Sequence, residues 1–412
     1  MPSWLFQLMQ VAGRLWVTVA LYSALGLLAA LAAALFGHWV PSDFPLKLGS
    51  DSVDEILSIL ASSMLAVATF SLTTLVTAYT SVVSNAAPRA AHLLVSDRGL
   101  RNALSTFVGA FIYSIVGIIA LHTGYYGAQG RVILFFVTLV VLALVVLAMV
   151  RWIGLISRLA QVSDAVDRVA DAAGGALRST PITLARRHGH SPPREGRIAI
   201  NAESVGFVRN VDIEGLEAIA AELGLQVHVA QLPGAFVHGG VALLHVDGSP
   251  STAEQSRLRG KVSVRERRTF DQDPGYGFTV LGEIASRALS PGVNDPGTAR
   301  EVMAATVGLL SAFAREDPAA GDRWPHVTVA AFPICDLVIG ALEPVARNGA
   351  DQPLLQAELQ AALLALTLVG DEEIAESARE LSRLALTYAR QNLARREDVR
   401  RVTRAAGKVL AR

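Results

Sequence analysis

Four stretches of the chain contain no formally charged residue, and these stretches limit its possible folds more than any other feature. They cover residues 15–42, 56–88, 102–130 and 132–150. A helix needs about 20 apolar residues to cross the hydrocarbon core of a bilayer, and apolar runs inside water-soluble proteins are usually shorter. The sequence therefore predicts an α-helical membrane protein with about four transmembrane helices, at about 14–37, 55–84, 103–122 and 132–156.

Charged residues are scarce in the first part of the chain and ordinarily frequent in the rest. The first 150 residues hold six of the 36 Lys and Arg residues and five of the 36 Asp and Glu residues. This contrast predicts a transmembrane domain at 1–156 followed by a water-soluble region. The formal net charge of zero argues against a nucleic-acid partner, which needs a concentrated basic face. The single cysteine, Cys335, excludes an internal disulfide framework.

The basic residues that flank the predicted spans indicate an orientation. One side of the membrane would carry Arg14, Arg89, Arg98, Arg101, Arg151 and Arg158, and the other side Lys47 and Arg131. Loops on the cytoplasmic side of a membrane carry the excess of Lys and Arg. The sequence therefore predicts a multi-pass protein of the bacterial inner membrane, with both termini and the water-soluble region in the cytoplasm.

The second predicted span is unusually long and unusually rich in hydroxyl groups. Its 33 uncharged residues would form a helix of about 50 Å, well beyond a hydrocarbon core of about 30 Å. At about 100° per residue, one arc of roughly 80° contains Thr69, Thr73, Thr77, Thr80 and Ser84. Small hydroxylated residues allow close packing between membrane helices. They also line water-filled pores, and both interpretations remain open.

No Asp, Glu, Lys or Arg lies within a predicted span, which argues against a proton relay or ion-coupled transport. A passive pore needs no such group. Asp51, Asp54 and Glu55 lie just outside the second span. They are candidates for an acidic ring at an outer mouth that attracts cations. Alternatively, they are solvated residues that interact favourably with the helix dipole.

The region after the spans is predicted to be α+β. Residues 157–195 form an amphipathic helix and a linker, and residues 249–412 are mainly helical. Between them, residues 196–248 show alternating strands around turns at Pro233-Gly234 and Gly239-Gly240. The pattern is similar to a small barrel-sandwich domain of the biotinyl or lipoyl type. That stretch contains no lysine to carry a swinging cofactor, and no cofactor or metal site is predicted.

A rigid turn at RALSPGVNDPGTA, residues 287–299, separates two predicted helices. Together with the acidic residues upstream, it supplies candidates for a cytoplasmic ligand or cation site: Asp271, Asp273, Glu283, Arg287, Asn294 and Asp295. The alternative interpretation is purely structural. A turn of this composition, with Asp295 or Thr298 capping the next helix, needs no ligand.

Three segments carry a resemblance to a known family. They are SSMLAVATFSLTTLVTAYTSVVSNAAPRAAHLLVSDRGLRNALSTFVGAFIYSI, the turn PGAFV, and ERRTFDQDPGYGFTVLGEIASRALSPGVNDPGTA. Together, and in this order, they resemble the DUF2254 family of predicted bacterial membrane proteins over nearly the whole chain. The resemblance implies an inner-membrane location. The family name denotes an uncharacterised domain, so it implies no activity, cofactor or catalytic residue.

The function predicted first is that of a homo-oligomeric, channel-like membrane protein. The second span would line the pore, and the cytoplasmic region would assemble or gate it. The competing prediction is a membrane-anchored sensor or scaffold that binds a ligand or partner and transports nothing. No nucleophile elbow, Walker loop, H-E-x-x-H or dinucleotide fingerprint is present, so the chain is not predicted to be an enzyme. The predicted partners are the lipid bilayer, further copies of the chain and small ions.

Overall fold

The chain forms two compact units. The computed structural model describes residues 17, 19–21, 23–24, 28, 50–85, 88–90, 93, 98–123, 128–159, 162–188, 197–316 and 323–412. The first unit, called the membrane unit below, comprises Met1–Ser84 and Ala91–Asp164. The second, called the C-terminal unit, comprises Asn85–Ala90 and Ala165–Arg412.

Three long helices make up the described part of the membrane unit: α1 (Ser50–Asn85), α2 (Arg98–His122) and α3 (Ala128–Leu159). Each contains a segment that is long and apolar enough to cross a membrane, at Val53–Ser81, Asn102–His122 and Arg131–Ile156. Of the first predicted span, at 14–37, only the positions from 17 to 28 named above are described, and these are helical. The rest of that predicted span lies outside the described residues.

The three helices pack around Tyr113 of α2, which is fully buried. Its hydroxyl oxygen lies 2.9 Å from the Thr138 hydroxyl of α3 and donates to the Leu134 carbonyl oxygen at 3.4 Å. Leu57 of α1 belongs to the same buried cluster. A Cβ atom placed on Gly117 would lie 3.1 Å from a methyl carbon of Leu57, so a small residue there lets α1 approach α2 closely.

The C-terminal unit begins with two helices, α4 (Val162–Leu177) and α5 (Thr180–His188), followed by two small sheets. The strands are β1 (Ile198–Asn201), β2 (Gly206–Val211), β3 (Gln226–Val229), β4 (Phe236–Val237), β5 (Ala242–Asp247), β6 (Val262–Arg265) and β7 (Val327–Val329). One sheet has the order β1-β5-β3-β7 and the other β4-β2-β6. β3 and β7 are parallel, with Val229 opposite Val329, and the other pairs are antiparallel.

The sheets extend beyond the predicted β module of residues 196–248. That stretch supplies five strands, whereas β6 and β7 come from the region predicted to be mainly helical. β6 has four residues and β7 only three, and such short strands show too few alternations to be recognised by periodicity. The core between the sheets and helices includes Ile200, Leu216 and Leu244, all fully buried.

Further helices complete the unit. α6 (Ile213–Leu223) and α7 (Thr252–Arg259) lie among the strands. They are followed by α8 (Pro274–Ala288), α9 (Pro296–Arg315), α10 (Ile334–Asn348), α11 (Pro353–Leu366), α12 (Glu372–Asn392) and α13 (Arg396–Leu410). α8 and α10 cross so closely that a Cβ atom on Gly282 would collide with the carbonyl oxygen of Gly340. This crossing requires glycine, and it fixes α8 and α10 relative to each other.

Candidate functional site

The threonines predicted to share one side of the second span do so in α1. We call this side the hydroxyl face and define it by Thr69, Thr73, Thr77 and Thr80, all of which are exposed. Ser84, the fifth predicted pore-lining residue, lies in the last turn of α1, but its side chain is outside the described residues. The exposed side chains beside this face are apolar, among them Phe70 and Val76.

The hydroxyl face lies opposite the side of α1 that is buried. The buried side consists of Val53, Leu57, Leu60, Ala61, Met64 and Ser71. At about 100° per residue, the centres of the two faces are roughly 180° apart. The helix therefore turns its apolar side, including Leu57, toward the cluster around Tyr113 and leaves its hydroxylated side uncovered.

Each hydroxyl of this face donates a hydrogen bond to the backbone of its own helix. Thr73 donates to the carbonyl oxygen of Thr69 at 3.1 Å and Thr77 to that of Thr73 at 3.0 Å. Thr69 and Thr80 bond in the same way, four residues back. The donor of each hydroxyl is thereby satisfied, while its oxygen lone pairs stay available to accept hydrogen bonds from water or to coordinate a cation.

The acidic residues predicted at an outer mouth occupy the first turns of α1. Asp51 lies there with its side chain outside the described residues, and Glu55 is exposed. The carboxylate of Asp54 lies 3.8 Å from Nδ1 of His122, the last residue of α2. The start of α1 is therefore next to the end of α2, as expected of two antiparallel helices joined by the Arg-containing loop.

The six residues predicted to form a cytoplasmic ligand site do not converge on one point. They are Asp271, Asp273, Glu283, Arg287, Asn294 and Asp295. The first two precede α8, Glu283 and Arg287 lie within it, and the last two follow it. A helix of 15 residues is about 22 Å long, so its ends cannot share a small ligand.

Asp273 is the most constrained of the six. Its side chain is 4% exposed and accepts hydrogen bonds from Nε and Nη2 of Arg268 at 2.7 and 2.8 Å. It also caps α8 by accepting from the backbone N–H of Tyr276 at 2.9 Å. Asp271, two residues earlier, is 57% exposed and pairs with Arg209 at 3.1 Å. Arg268 was not among the predicted site residues, although it lies in the same ERRTFDQD segment.

Asp295 and Asn294 build the turn between α8 and α9. Asn294 adopts the left-handed conformation with φ 49°. The Asp295 carboxylate caps α9, accepting from the backbone N–H of Gly297 at 2.9 Å and from the Thr298 hydroxyl at 2.7 Å. The Thr298 hydroxyl, aided by the backbone N–H groups, holds the pKa of Asp295 below its ordinary value, against the opposing effect of burial. These contacts match the structural interpretation of this turn.

Glu283 forms an ion pair with Arg89, which lies in the short segment between α1 and α2. That segment, Asn85–Ala90, belongs to the C-terminal unit although both of its neighbours in sequence belong to the membrane unit. Tyr276 lies near Arg89 and beneath Arg268, whose guanidinium carbon is 5.4 Å from its ring centre. Burial raises the pKa of Tyr276 above its ordinary value, and the two arginines oppose the shift.

A cavity of about 450 Å³ lies at the carboxyl ends of β3 and β7, and we call it the β3–β7 cavity. Residues 230–235 after β3 and residues 330–333 after β7 form two of its walls. Arg268, Asp273 and Asp336 supply its charged groups. Of the predicted ligand-site residues, only Asp273 lines it.

Three apolar helices of spanning length, beside a unit of helices and mostly antiparallel strands with its own core, indicate a membrane protein with several spans. A family model described as "Predicted membrane protein (DUF2254)" matches residues 12–365. The chain belongs to this family, so the resemblance found in its sequence is confirmed.

Relatives of this chain occur in mycobacteria. Uncharacterised proteins of Mycobacterium bovis and Mycobacterium tuberculosis are each 27% identical to it over 245 residues. The aligned part covers 56% of this chain and 42% of each relative, so the match spans less than half of those proteins. No solved structure matches the chain.

Proposed function

We propose that the chain is one subunit of a homo-oligomeric channel in which several copies of α1 turn their hydroxyl faces toward a common axis. The observation that carries the proposal is the position of that face, exposed and opposite the buried side of α1. A stripe of hydroxyl oxygens is poorly suited to lipid tails, which offer nothing to their lone pairs. A closed ring of identical subunits would surround the stripe with water and with copies of itself.

The chemistry of the hydroxyl face favours cations over anions. Each described hydroxyl donates a hydrogen bond to the backbone carbonyl oxygen four residues back, so its own oxygen would face the axis. Asp51, Asp54 and Glu55 at one end would draw cations toward the mouth. Residues 56–88 contain no formal charge, so passive conduction fits better than coupled transport.

The topology that accompanies this proposal has a fourth span at 14–37 and both termini in the cytoplasm of a bacterial cell. The loop with Arg89, Arg98 and Arg101 would then face the cytoplasm, as the basic residues favour. The C-terminal unit, with a barrel-sandwich-like β region, would assemble or gate the pore. In this proposal the chain is not an enzyme.

Cysteine accessibility tests whether the hydroxyl face meets water. Single cysteines at Thr73, Thr77 and Thr80, in a Cys335→Ser background, should react with a small charged thiosulfonate in the bilayer. Cysteines at Ser71, which is fully buried, and at Leu72, which is 49% exposed outside the hydroxyl face, serve as matched controls and should be protected. Equal protection of all five positions would refute a water-lined face.

Conductance measurements test whether the hydroxyl face lines a conducting pore. Thr77→Val replaces a hydroxyl by a methyl of similar size, which raises the cost of wetting a narrow passage, whereas Thr77→Ser keeps the hydroxyl. Single-channel recording of the purified protein in planar bilayers should show a conductance that Thr77→Val lowers and Thr77→Ser retains. Absence of any conductance, or a monomeric particle in mild detergent, would contradict the channel.

A second candidate function is a membrane-anchored sensor or scaffold, and the β3–β7 cavity favours it. The cavity has the size of a small-molecule site and lies in the C-terminal unit, whereas the hydroxyl face belongs to the membrane unit. A protein without conductance and with a protected hydroxyl face, but with ligand binding in this cavity, would support the sensor.

A further inference from the structure

The β3–β7 cavity lies at the carboxyl ends of a parallel pair of strands. β3 and β7 run parallel, with Val227 opposite Val327 and Val229 opposite Val329. Since both strands end at the same edge, the segments that follow them, 230–235 and 330–333, diverge around a common space. In open parallel α/β sheets, ligands bind outside the carboxyl ends of the strands, and the single parallel pair of this sheet presents an edge of the same kind.

Arg268 provides this space with a positioned cation. The bidentate contact with Asp273 engages Nε and Nη2 of the guanidinium and holds its plane in one orientation. Because a guanidinium has five N–H donors, three remain after this contact. The side chain of Arg268 is 27% exposed and lines the cavity, whereas that of Asp273 is 4% exposed, so a ligand in the cavity can reach the guanidinium. A fixed guanidinium edge suits a planar carboxylate or a phosphate.

The start of α10 borders the same space, and its backbone N–H groups lie there beside the carboxylate of Asp336. β7 leads through residues 330–333 directly into α10, and its N-cap residue, Pro333, makes no side-chain hydrogen bond to the helix. The first N–H groups of a helix and its dipole both favour an anion nearby. Asp336, in the first turn, is exposed at the cavity and would meet a hydrogen-bond donor of a ligand instead.

Apolar side chains make up most of the remaining walls and set the size of the ligand, and Gln231 and Thr279 are polar exceptions. Leu232 and Leu337 are buried, and Phe332 is half-buried beside them. A volume of about 450 Å³ falls within the range of about 300–1,000 Å³ that small-molecule sites have. An inorganic ion alone would leave most of this space empty, so an organic molecule fits better.

We infer that the β3–β7 cavity binds a small, water-soluble organic oxyanion, that is, a carboxylate or a phosphate ester with an apolar body. The oxyanion group contacts the free edge of Arg268 near the start of α10, and the apolar body contacts Leu232, Phe332 and Leu337. This site is independent of the proposed channel, because every residue that forms it belongs to the C-terminal unit.

A set of matched probes tests the inference on the full chain in neutral detergent. Benzoate, phenyl phosphate, benzamide and benzylamine share one ring and differ in charge, and titration calorimetry measures their affinities. At least one anion should bind about tenfold or more tightly than the neutral amide and the amine, as expected for a charge-assisted contact. Comparing benzoate with phenyl phosphate distinguishes the two oxyanion classes. Equal affinities for amide and anions, or no binding by either anion, would overturn the inference.

Two variants place the binding in the cavity. Arg268→Gln combined with Asp273→Asn removes both charges together, which avoids leaving a buried carboxylate without its partner. Ala331→Trp fills the cavity without altering the ion pair, and Val293→Trp, at an exposed position after α8, is its control. The first two should weaken anion binding about tenfold or more while the control retains it. Unchanged binding in Ala331→Trp, with thermal unfolding showing a folded protein, would place the anion elsewhere and refute the site.

Discussion

Two aspartates separated by one residue should differ sharply in what their removal costs. Asp273→Ala removes the cap of α8, worth about 1 kcal/mol, and leaves Arg268 without its buried partner. Breaking a buried pair costs about 3–5 kcal/mol, and the lower end applies because Arg268 is 27% exposed and can be rehydrated. The sum is about 4 kcal/mol for Asp273→Ala. Asp271→Ala breaks only the exposed pair with Arg209, worth about 0.5 kcal/mol.

Thermal unfolding of the full chain in detergent measures this difference. Scanning calorimetry records the unfolding transition of the C-terminal unit, which contains both aspartates. For a unit of this size, each kcal/mol lowers the midpoint by about 2–4 °C. We therefore expect a loss of about 8–16 °C for Asp273→Ala and about 1–2 °C for Asp271→Ala.

Two results of these unfolding measurements would refute the reasoning. If Asp271→Ala lowers the midpoint as much as Asp273→Ala, burial does not decide the strength of these pairs. If neither variant shifts the midpoint by more than about 2 °C, the contact between Arg268 and Asp273 contributes little to folding. Either result would also weaken the case for a positioned guanidinium in the β3–β7 cavity.

Two further predictions concern the ends of α9. Folding lowers the pKa of Asp295 below its ordinary value of 3.8, so the charged carboxylate stabilises the fold at pH values above 3.8. This contribution is lost as the pH falls from there through the lowered pKa. Urea unfolding measures the stability difference between the wild type and Asp295→Asn, and we expect a larger difference at about pH 6 than at about pH 3. A difference that does not change with pH would refute the role of the charge. At the other end, Arg186 donates to the carbonyl oxygens of Ala314 and Glu316 at 3.0 and 2.9 Å. Arg186→Ala should cost about 2–3 kcal/mol by urea unfolding, whereas the exposed Arg315→Ala should cost under about 0.5 kcal/mol, and equal losses would contradict a specific cap.

The parts of the fold that depend on local pattern could be predicted from the sequence. Apolar length alone identified three helices, because a chain without charges over about 20 residues has few alternatives to a membrane. The turn before α9 and the cap by Asp295 were also predicted, since Pro, Gly, Asn and Asp favour turns and Asp favours the N-cap position. In both cases the energy that decides the structure comes from residues close together in the chain.

The parts that depend on distant contacts could not be predicted. β7 pairs with β3 across 100 positions, and no local signal marks such a partner. The six candidate ligand residues lie within 25 positions of one another in the sequence, and this proximity suggested a single ligand site. The helix α8 separates them in space. The end of α8 that borders the β3–β7 cavity is its start, where Asp273 pairs with Arg268.

The ion pair between Arg89 and Glu283 also has a consequence for how the protein is made. The two residues are 194 positions apart, so a ribosome adding about 5–20 residues per second reaches Glu283 roughly 10–40 s after Arg89. During that interval α2 and α3 are synthesised, but the rest of the C-terminal unit, to which the segment Asn85–Ala90 belongs, has not yet been completed. The connecting segment can therefore make its final contact with Glu283 only after most of the chain has been translated.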